Sequence, residues 1–141
     1  MLKTRLKYGI PDVDLSWSCG GGVNPSCFAG HQLVVLFLPK DPEKQKAEFE
    51  SYEKLTEELS GTDAWLLVIG YDTHIQADAK TPVALDPDGR AWLAFKQVAG
   101  DRKLERSDGA AFFFTRGGVF HRLWPGSGHA CEVLEELRTR G

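Results

Sequence analysis

The chain has 141 residues, 42% of them apolar and 26% charged, with a formal net charge of −3. This is the composition of an ordinary globular protein, long enough to bury a core as one domain over residues 1–141. Acids and bases are interspersed, so neither a nucleic-acid nor a membrane partner is expected, and no run approaches the roughly 18 apolar residues of a membrane helix. The basic start Met1-Leu2-Lys3-Thr4-Arg5-Leu6-Lys7 is followed by no apolar core, so no secretory signal is expected and a cytoplasmic location is the expectation. Three cysteines, Cys19, Cys27 and Cys131, argue against a disulfide framework. No C-x-x-C pair exists; the closest pair, Cys19 and Cys27, is eight residues apart.

Taken in chain order, residues 13–17 alternate apolar and polar, which predicts a half-buried strand. Gly20-Gly21-Gly22 breaks it and Asn24-Pro25 marks a turn, giving a loose N-terminal β-hairpin. Residues 33–38 are a continuous apolar run suited to a central strand covered on both faces. Asp41-Pro42 then starts a helix, with Asp as cap and Pro in the first turn, and Phe49, Tyr52, Leu55 and Leu59 recur at helical spacing. Gly61 lies where that helix should stop, and residues 65–69 read as a second buried strand. The strand–helix–strand unit is long enough for a right-handed parallel crossover.

Residues 71–80 are polar, with a short helix as their candidate structure. Residues 82–85 form a short strand ended by the turn Asp86-Pro87-Asp88-Gly89. Residues 91–98 are helical, with Trp92, Phe95 and Val98 on one side, and residues 101–109 are a charged loop. Residues 111–115 and 119–124 form a hairpin around Gly117-Gly118. Ser127 is the expected cap of a last helix whose apolar face is Ala130, Val133, Leu134 and Leu137. A parallel crossover, then an antiparallel hairpin and a C-terminal helix, is the thioredoxin-like α/β plan: a mixed central sheet flanked by helices.

Four segments, in this order, resemble the peroxiredoxins of the alkyl hydroperoxide reductase/thiol-specific antioxidant branch of the thioredoxin superfamily. Residues 9–15, GIPDVDL, resemble the opening G-x-x-A-P-D-F-x-L; residues 30–41, GHQLVVLFLPKD, resemble G-K-x-V-V-L-F-F-Y-P-K-D. Residues 81–91, TPVALDPDGRA, resemble P-L-L-x-D-P-D-G-x-x-A, and residues 112–119, FFFTRGGV, resemble F-L-I-D-x-x-G-x-I. The resemblance implies a thioredoxin-like fold, redox or antioxidant chemistry, and a homodimer as one partner state.

It also implies a catalytic pattern, P-x-x-x-T-x-x-C plus a distant arginine. The thiol ionises at a helix N-terminus beside a cation, and threonine and arginine hold the peroxide as its O–O bond breaks. Counting from Pro39, the threonine position is Glu43, the cysteine position is Lys46, and the arginine position is Ala110. Only Pro39 is kept, and no cysteine lies between Phe28 and Ala130. Arg106 and Arg116 are near in sequence but match neither position, and no proline precedes Phe112 where thioredoxins carry their cis-proline.

Elsewhere, Cys19 and Cys27 are candidate relocated thiols or a reversible disulfide, although neither opens a helix. Cys131 flanks the apolar stripe of the last helix and is expected to pack. His31, His74, His121 and His129 are scattered, so no metal is expected, and no cofactor motif is present. Lys44, Lys46, Glu43, Glu48, Glu50, Glu53, Glu57 and Glu58 are expected to form a solvated helix face, and Asp12 and Asp14 to bracket a strand.

The expected function is binding of a protein or small-molecule partner by a peroxiredoxin-like domain with a degenerate active site and no peroxidase activity. The alternative is an atypical thiol-disulfide oxidoreductase or antioxidant protein using Cys19 and/or Cys27. A third is a structural or oligomerisation module.

Overall fold

Residues 32–37 are buried at every position, and this places the strand they form at the centre of the sheet. In the computed structural model, which describes residues 9–18, 20–59, 63–70, 82–101 and 103–140, the elements run as follows. A short hairpin, β1 (Leu15–Trp17) and β2 (Gly22–Val23), precedes β3 (Gln32–Phe37), α1 (Pro42–Glu58) and β4 (Ala64–Gly70). Then come β5 (Val83–Leu85), α2 (Arg90–Ala99), β6 (Ala110–Phe114), β7 (Phe120–Pro125) and α3 (Ala130–Arg140). Two 3-10 turns, Pro25–Phe28 and Arg106–Asp108, sit in the connections.

Among the described residues the seven strands form one sheet in the order β2-β1-β5-β4-β3-β6-β7. β3 pairs in parallel with β4, with Leu33 opposite Trp65 and Phe37 opposite Ile69, and β4 pairs in parallel with β5. β6 lies antiparallel on the other side of β3, and β7 antiparallel to β6. This is the thioredoxin-like α/β architecture, and the crossover, the N-terminal strand pair and the late hairpin all stand where the sequence placed them. Gly118, at φ +77°, takes the left-handed position of the hairpin turn.

Side chains alternate across the sheet, so each strand feeds two cores. Leu33, Val35 and Phe37 pack with Trp92, Phe95, Phe112 and Phe114 beneath α2. Val34, Leu36 and Leu38 pack with Phe49, Tyr52, Leu55, Trp124, Val133 and Leu137 beneath α1 and α3.

Several expectations are corrected. Trp65 lies at the start of β4 but is 50% exposed, with the Phe28 and His31 rings beside it at 5.7 and 5.8 Å between ring centroids. Glu48 does not belong to the solvated face of α1: it is 5% exposed, since the buried stripe Glu48, Phe49, Tyr52, Leu55 runs through it. Cys131 is exposed rather than packed. Val133 points inward, and two residues of helix turn the chain by about 200°. Ser127 does not cap α3, which begins at Ala130; Gly126 and Gly128, at φ +77° and +85°, hold the loop out of helical geometry. The first strand begins at Leu15 and not Val13, and β7 begins at Phe120 with Val119 exposed. Cys19, Gly61, His74 and the candidate helix at 71–80 lie outside the described residues.

Candidate functional site

Three loops meet beyond the C-terminal end of β3, the position where open α/β sheets build their sites. The first joins β3 to α1. Asp41 caps the helix there, its Oδ2 accepting from Lys44 N at 3.0 Å. The second is the 3-10 turn Arg106–Asp108, and the third joins β7 to α3.

Backbone and side-chain bonds lock the first two together. Lys40 N donates to Ser107 O at 2.8 Å, and Arg106 Nη1 donates to Leu38 O. Gln45 Nε2 donates to Pro39 O at 3.2 Å. Gly109 is required here twice over. Its φ is +76°, and a Cβ on it would lie 2.7 Å from Phe37 O and 3.0 Å from Pro39 N. The third loop joins the cluster through Gly126 N, which donates to Gly109 O at 3.0 Å.

Between them lies an open cleft of about 870 Å³. Lys40, Asp41, Pro42 and Lys44 line it from the start of α1, Ser107 and Asp108 from the 3-10 turn, and residues 125–127 from the third loop. Among the described residues, neither the Lys40 nor the Lys44 ammonium has an ion-pair partner. The cleft therefore offers two cations and two carboxylates within one mouth, together with two serine hydroxyls. Such a mixed lining suits a ligand or peptide that carries both charges, held by polar contacts.

The sequence-derived site residues are placed as follows. Pro39 is buried under the loop, against Gly109. Glu43 and Lys46 are exposed on the first turns of α1, one helical turn apart, and outside the cleft lining. The residues opening α1, Pro42 to Lys46, include no thiol. Ala110 is buried in β6 opposite Phe37. Arg106 lies on the α2 side of the loop, its guanidinium 5.3 Å from the Phe37 ring centroid and 5.9 Å from that of Trp92. Cys27 is exposed on the 3-10 turn before β3, at the opposite end of that strand, about 20 Å away for six residues. Cys131 is exposed at the groove between α3 and α1, which Lys54, Leu55 and Glu58 also line.

The residues missed by sequence reasoning are Lys40, Lys44, Ser107, Asp108 and Ser127. Lys40 and Lys44 bracket the helix start and were visible as a pair. Nothing local marks the other three, which reach the cleft only because β6 and β7 bring their loops alongside β3.

The most perturbed groups lie behind the third loop. Burial pushes the Glu48 carboxyl above its ordinary value, against the opposing pull of the Gly128 N–H and of His129. Burial, helped by Glu48 and Glu132, raises the Tyr52 phenol. At the far end of the sheet, hydrogen bonds from His31 and from Arg116 hold the exposed Asp63 carboxyl below its ordinary value.

The fold and the position of the cleft define a thioredoxin-like α/β protein. Solved structures similar to it include peroxiredoxins and a thioredoxin. Peroxiredoxin Q of Xanthomonas campestris, as a cysteine-to-serine mutant, matches with a TM-score of 0.73 at 25% identity over 92% of each chain. PrxQ of Xylella fastidiosa matches with a TM-score of 0.74 at 20% identity, over 97% of this chain and 98% of that one. A pneumococcal exposed lipoprotein thioredoxin of Streptococcus pneumoniae matches at 0.67 and 17% identity, over 92% and 99%. No protein-family model and no curated protein matches the sequence. Among the described residues no helix is long and apolar enough to cross a membrane.

Proposed function

We propose that this is a peroxiredoxin-like protein of the thioredoxin fold that lacks the peroxidatic cysteine, has no peroxidase activity, and acts by binding a partner in the cleft at the start of α1. One observation carries the proposal: the helix start that borders the cleft presents Pro42, Glu43, Lys44, Gln45 and Lys46, and no thiol. A thiol peroxidase needs a thiolate there, stabilised by the free N–H groups and the helix dipole. The cleft is what the loop still offers, and its partner is a protein segment or small molecule with charges of both signs.

Peroxide turnover with thioredoxin or a dithiol reductant is expected at background. Fast, saturable turnover would overturn the proposal. The geometry of the loop is tested separately by Glu43→Thr with Lys46→Cys. The introduced thiol should alkylate with an apparent pKa below the ordinary value of about 8.5, because the helix N-terminus favours its thiolate. Binding is tested by titrating the protein with charged peptides while following the backbone amide resonances of Ser107, Asp108 and Ser127, which line the cleft. Lys40→Ala with Lys44→Ala should abolish the response.

The exposure of Cys27 favours one second reading, a thiol-disulfide oxidoreductase or antioxidant that uses Cys27 with Cys19. Counting free thiols by mass before and after hydrogen peroxide separates the two. Under the first reading Cys27→Ser changes no activity. A homodimer is likewise a proposal, and solution mass at varied concentration tests it.

A further inference from the structure

At the end of β3 opposite the cleft, three segments are fixed to one another by backbone bonds. Gly30 N donates to Arg116 O at 3.1 Å, which joins the turn before β3 to the β6–β7 hairpin. Gln32 N donates to Asp63 O at 3.0 Å, which joins the same turn to the start of β4. Gly30 follows this path at φ +97°, a conformation that favours glycine.

The side chains of the three segments meet on one carboxylate. Asp63 Oδ2 accepts from Arg116 Nε at 2.8 Å, and Asp63 Oδ1 accepts from His31 Nδ1. Both carboxylate oxygens are therefore covered by donors, while each donor residue is held by a single nitrogen. A guanidinium carries five N–H donors in a planar fork, so Arg116 keeps its Nη1/Nη2 edge free among the described residues. An ionised carboxylate only accepts, so His31 Nδ1 carries a proton, and Nε2 has no partner among the described residues. The Arg116 and His31 side chains are 51% and 46% exposed, so both reach solvent.

Trp65 adjoins this set. Its ring centroid lies 5.8 Å from that of His31 and 5.7 Å from that of Phe28, with 67° and 42° between the planes. Neither ring stacks parallel on the half-exposed indole. One exposed aromatic is ordinary on a protein surface. An exposed indole beside a guanidinium and an imidazole held in place by a carboxylate is a two-part recognition surface. His31 links the parts, lying against Trp65 on one side and bonded to Asp63 on the other.

We propose that this cluster binds a small aromatic phosphate, its ring stacked on Trp65 and its phosphate held by the free edge of Arg116 and by His31. The Nη1/Nη2 edge offers two parallel N–H bonds, which match two phosphate oxygens. The third oxygen is left for His31 Nε2, which accepts from it when it is protonated and donates to it when the imidazole is. A carboxylate, with two oxygens, would be used up by the arginine alone. Asp63 is the positioning residue: it offsets one positive charge, but it holds both donors in place before the ligand arrives, so less side-chain freedom is lost on binding. The site lies at the other end of the sheet from the cleft and is independent of it.

The test is an NMR titration of the whole protein, following the Trp65 indole N–H, the Arg116 Nε–H and the Gly30 and His31 amides. The probes are adenosine monophosphate and phenyl phosphate, with adenosine and inorganic phosphate as the separate halves. At least one aromatic phosphate should shift these signals saturably, and the tighter of the two distinguishes a nucleotide from an aryl phosphate. Each half alone should bind about tenfold more weakly or worse, as should the intact probe to Trp65→Ala or Arg116→Ala, since stacking and the fork contact each contribute on that scale. Lys40→Ala with Lys44→Ala, in the cleft, should change nothing. No saturable shift with either aromatic phosphate overturns the proposal. So does a response confined to the cleft amides, inorganic phosphate binding as tightly as the aromatic probes, or full binding by Arg116→Ala. Should Trp65→Ala fail to fold, Arg116→Ala and the comparison of whole probe with its halves decide the matter.

Discussion

The face of the sheet under α2 and the face under α1 and α3 are both packed with hydrocarbon, yet they treat polar groups in opposite ways. Under α2 the core is a run of aromatic edges: Phe37 meets Trp92, Phe95 and Phe112 at 5.1 to 5.6 Å between ring centroids. Its buried carboxylate, Asp86, is bonded at both oxygens, accepting from Ala91 N at 3.1 Å and Trp92 N at 2.9 Å at the start of α2. Under α1 and α3, among the described residues, Glu48 has one donor, and the Tyr52 hydroxyl and Trp124 Nε1 have no partner. Gln32 Nε2 has none either, and Gln32 falls on this same face by alternation with Val34 and Leu36. One face is a dry support; the other, which carries the wall of the cleft, holds groups whose solvation is incomplete. Stability is therefore expected to live on the first face and conditional behaviour on the second.

Phe112→Ala breaks the comparison at its strongest point. The ring lies among Phe37, Trp92, Phe95 and Phe120, so its loss should cost about 4 kcal/mol in urea unfolding. A loss below about 1 kcal/mol would mean that the aromatic face is not the support.

Asp86→Ala leaves two buried N–H groups at the start of α2 without an acceptor. The expected loss is about 2 kcal/mol, partly recovered by Asp86→Asn, again read by urea unfolding.

Glu48→Gln should act with the opposite sign and with a pH dependence. The folded carboxyl is raised above its ordinary 4.5, so the native state holds the proton more tightly than the unfolded chain does. The contribution of Glu48 to stability is then fully present below about 4.5 and is lost as pH rises through the folded value. Unfolding free energies measured across this range should show Glu48→Gln overtaking the unaltered protein as pH rises. A difference independent of pH would show that burial of Glu48 carries no penalty.

Tyr52→Phe should have the smallest effect, under about 1 kcal/mol and in the stabilising direction, because the hydroxyl removed is buried without a partner. A clear loss in thermal unfolding would reveal a bond to that oxygen and bring the second face closer to the first.

Local chemistry by itself determined the elements. The apolar run ending at Leu38, the Asp41-Pro42 helix start, the Asp86–Gly89 turn and the Gly117-Gly118 hairpin each act over a few residues, and each formed with its strand bounds within one residue of those read. Their order alone was enough for a parallel crossover beside an antiparallel hairpin. The absence of a thiol from the start of α1 was equally legible. Only the tertiary structure decided which face of each element met what. Glu48 looked like one acid among many on a charged helix, and it is buried, with its hydrogen bond coming from Gly128 N, eighty residues on in the loop after β7. Cys131 looked like core and is exposed because Val133 and Leu137 set the rotation of α3. Ser107, Asp108 and Ser127 reach the cleft because antiparallel pairing of β6 with β3, and of β7 with β6, returns their loops to the end of β3. Helix starts and turns are written in neighbouring residues, whereas burial and a shared cleft depend on segments far apart in the chain, and only sheet pairing brings those together.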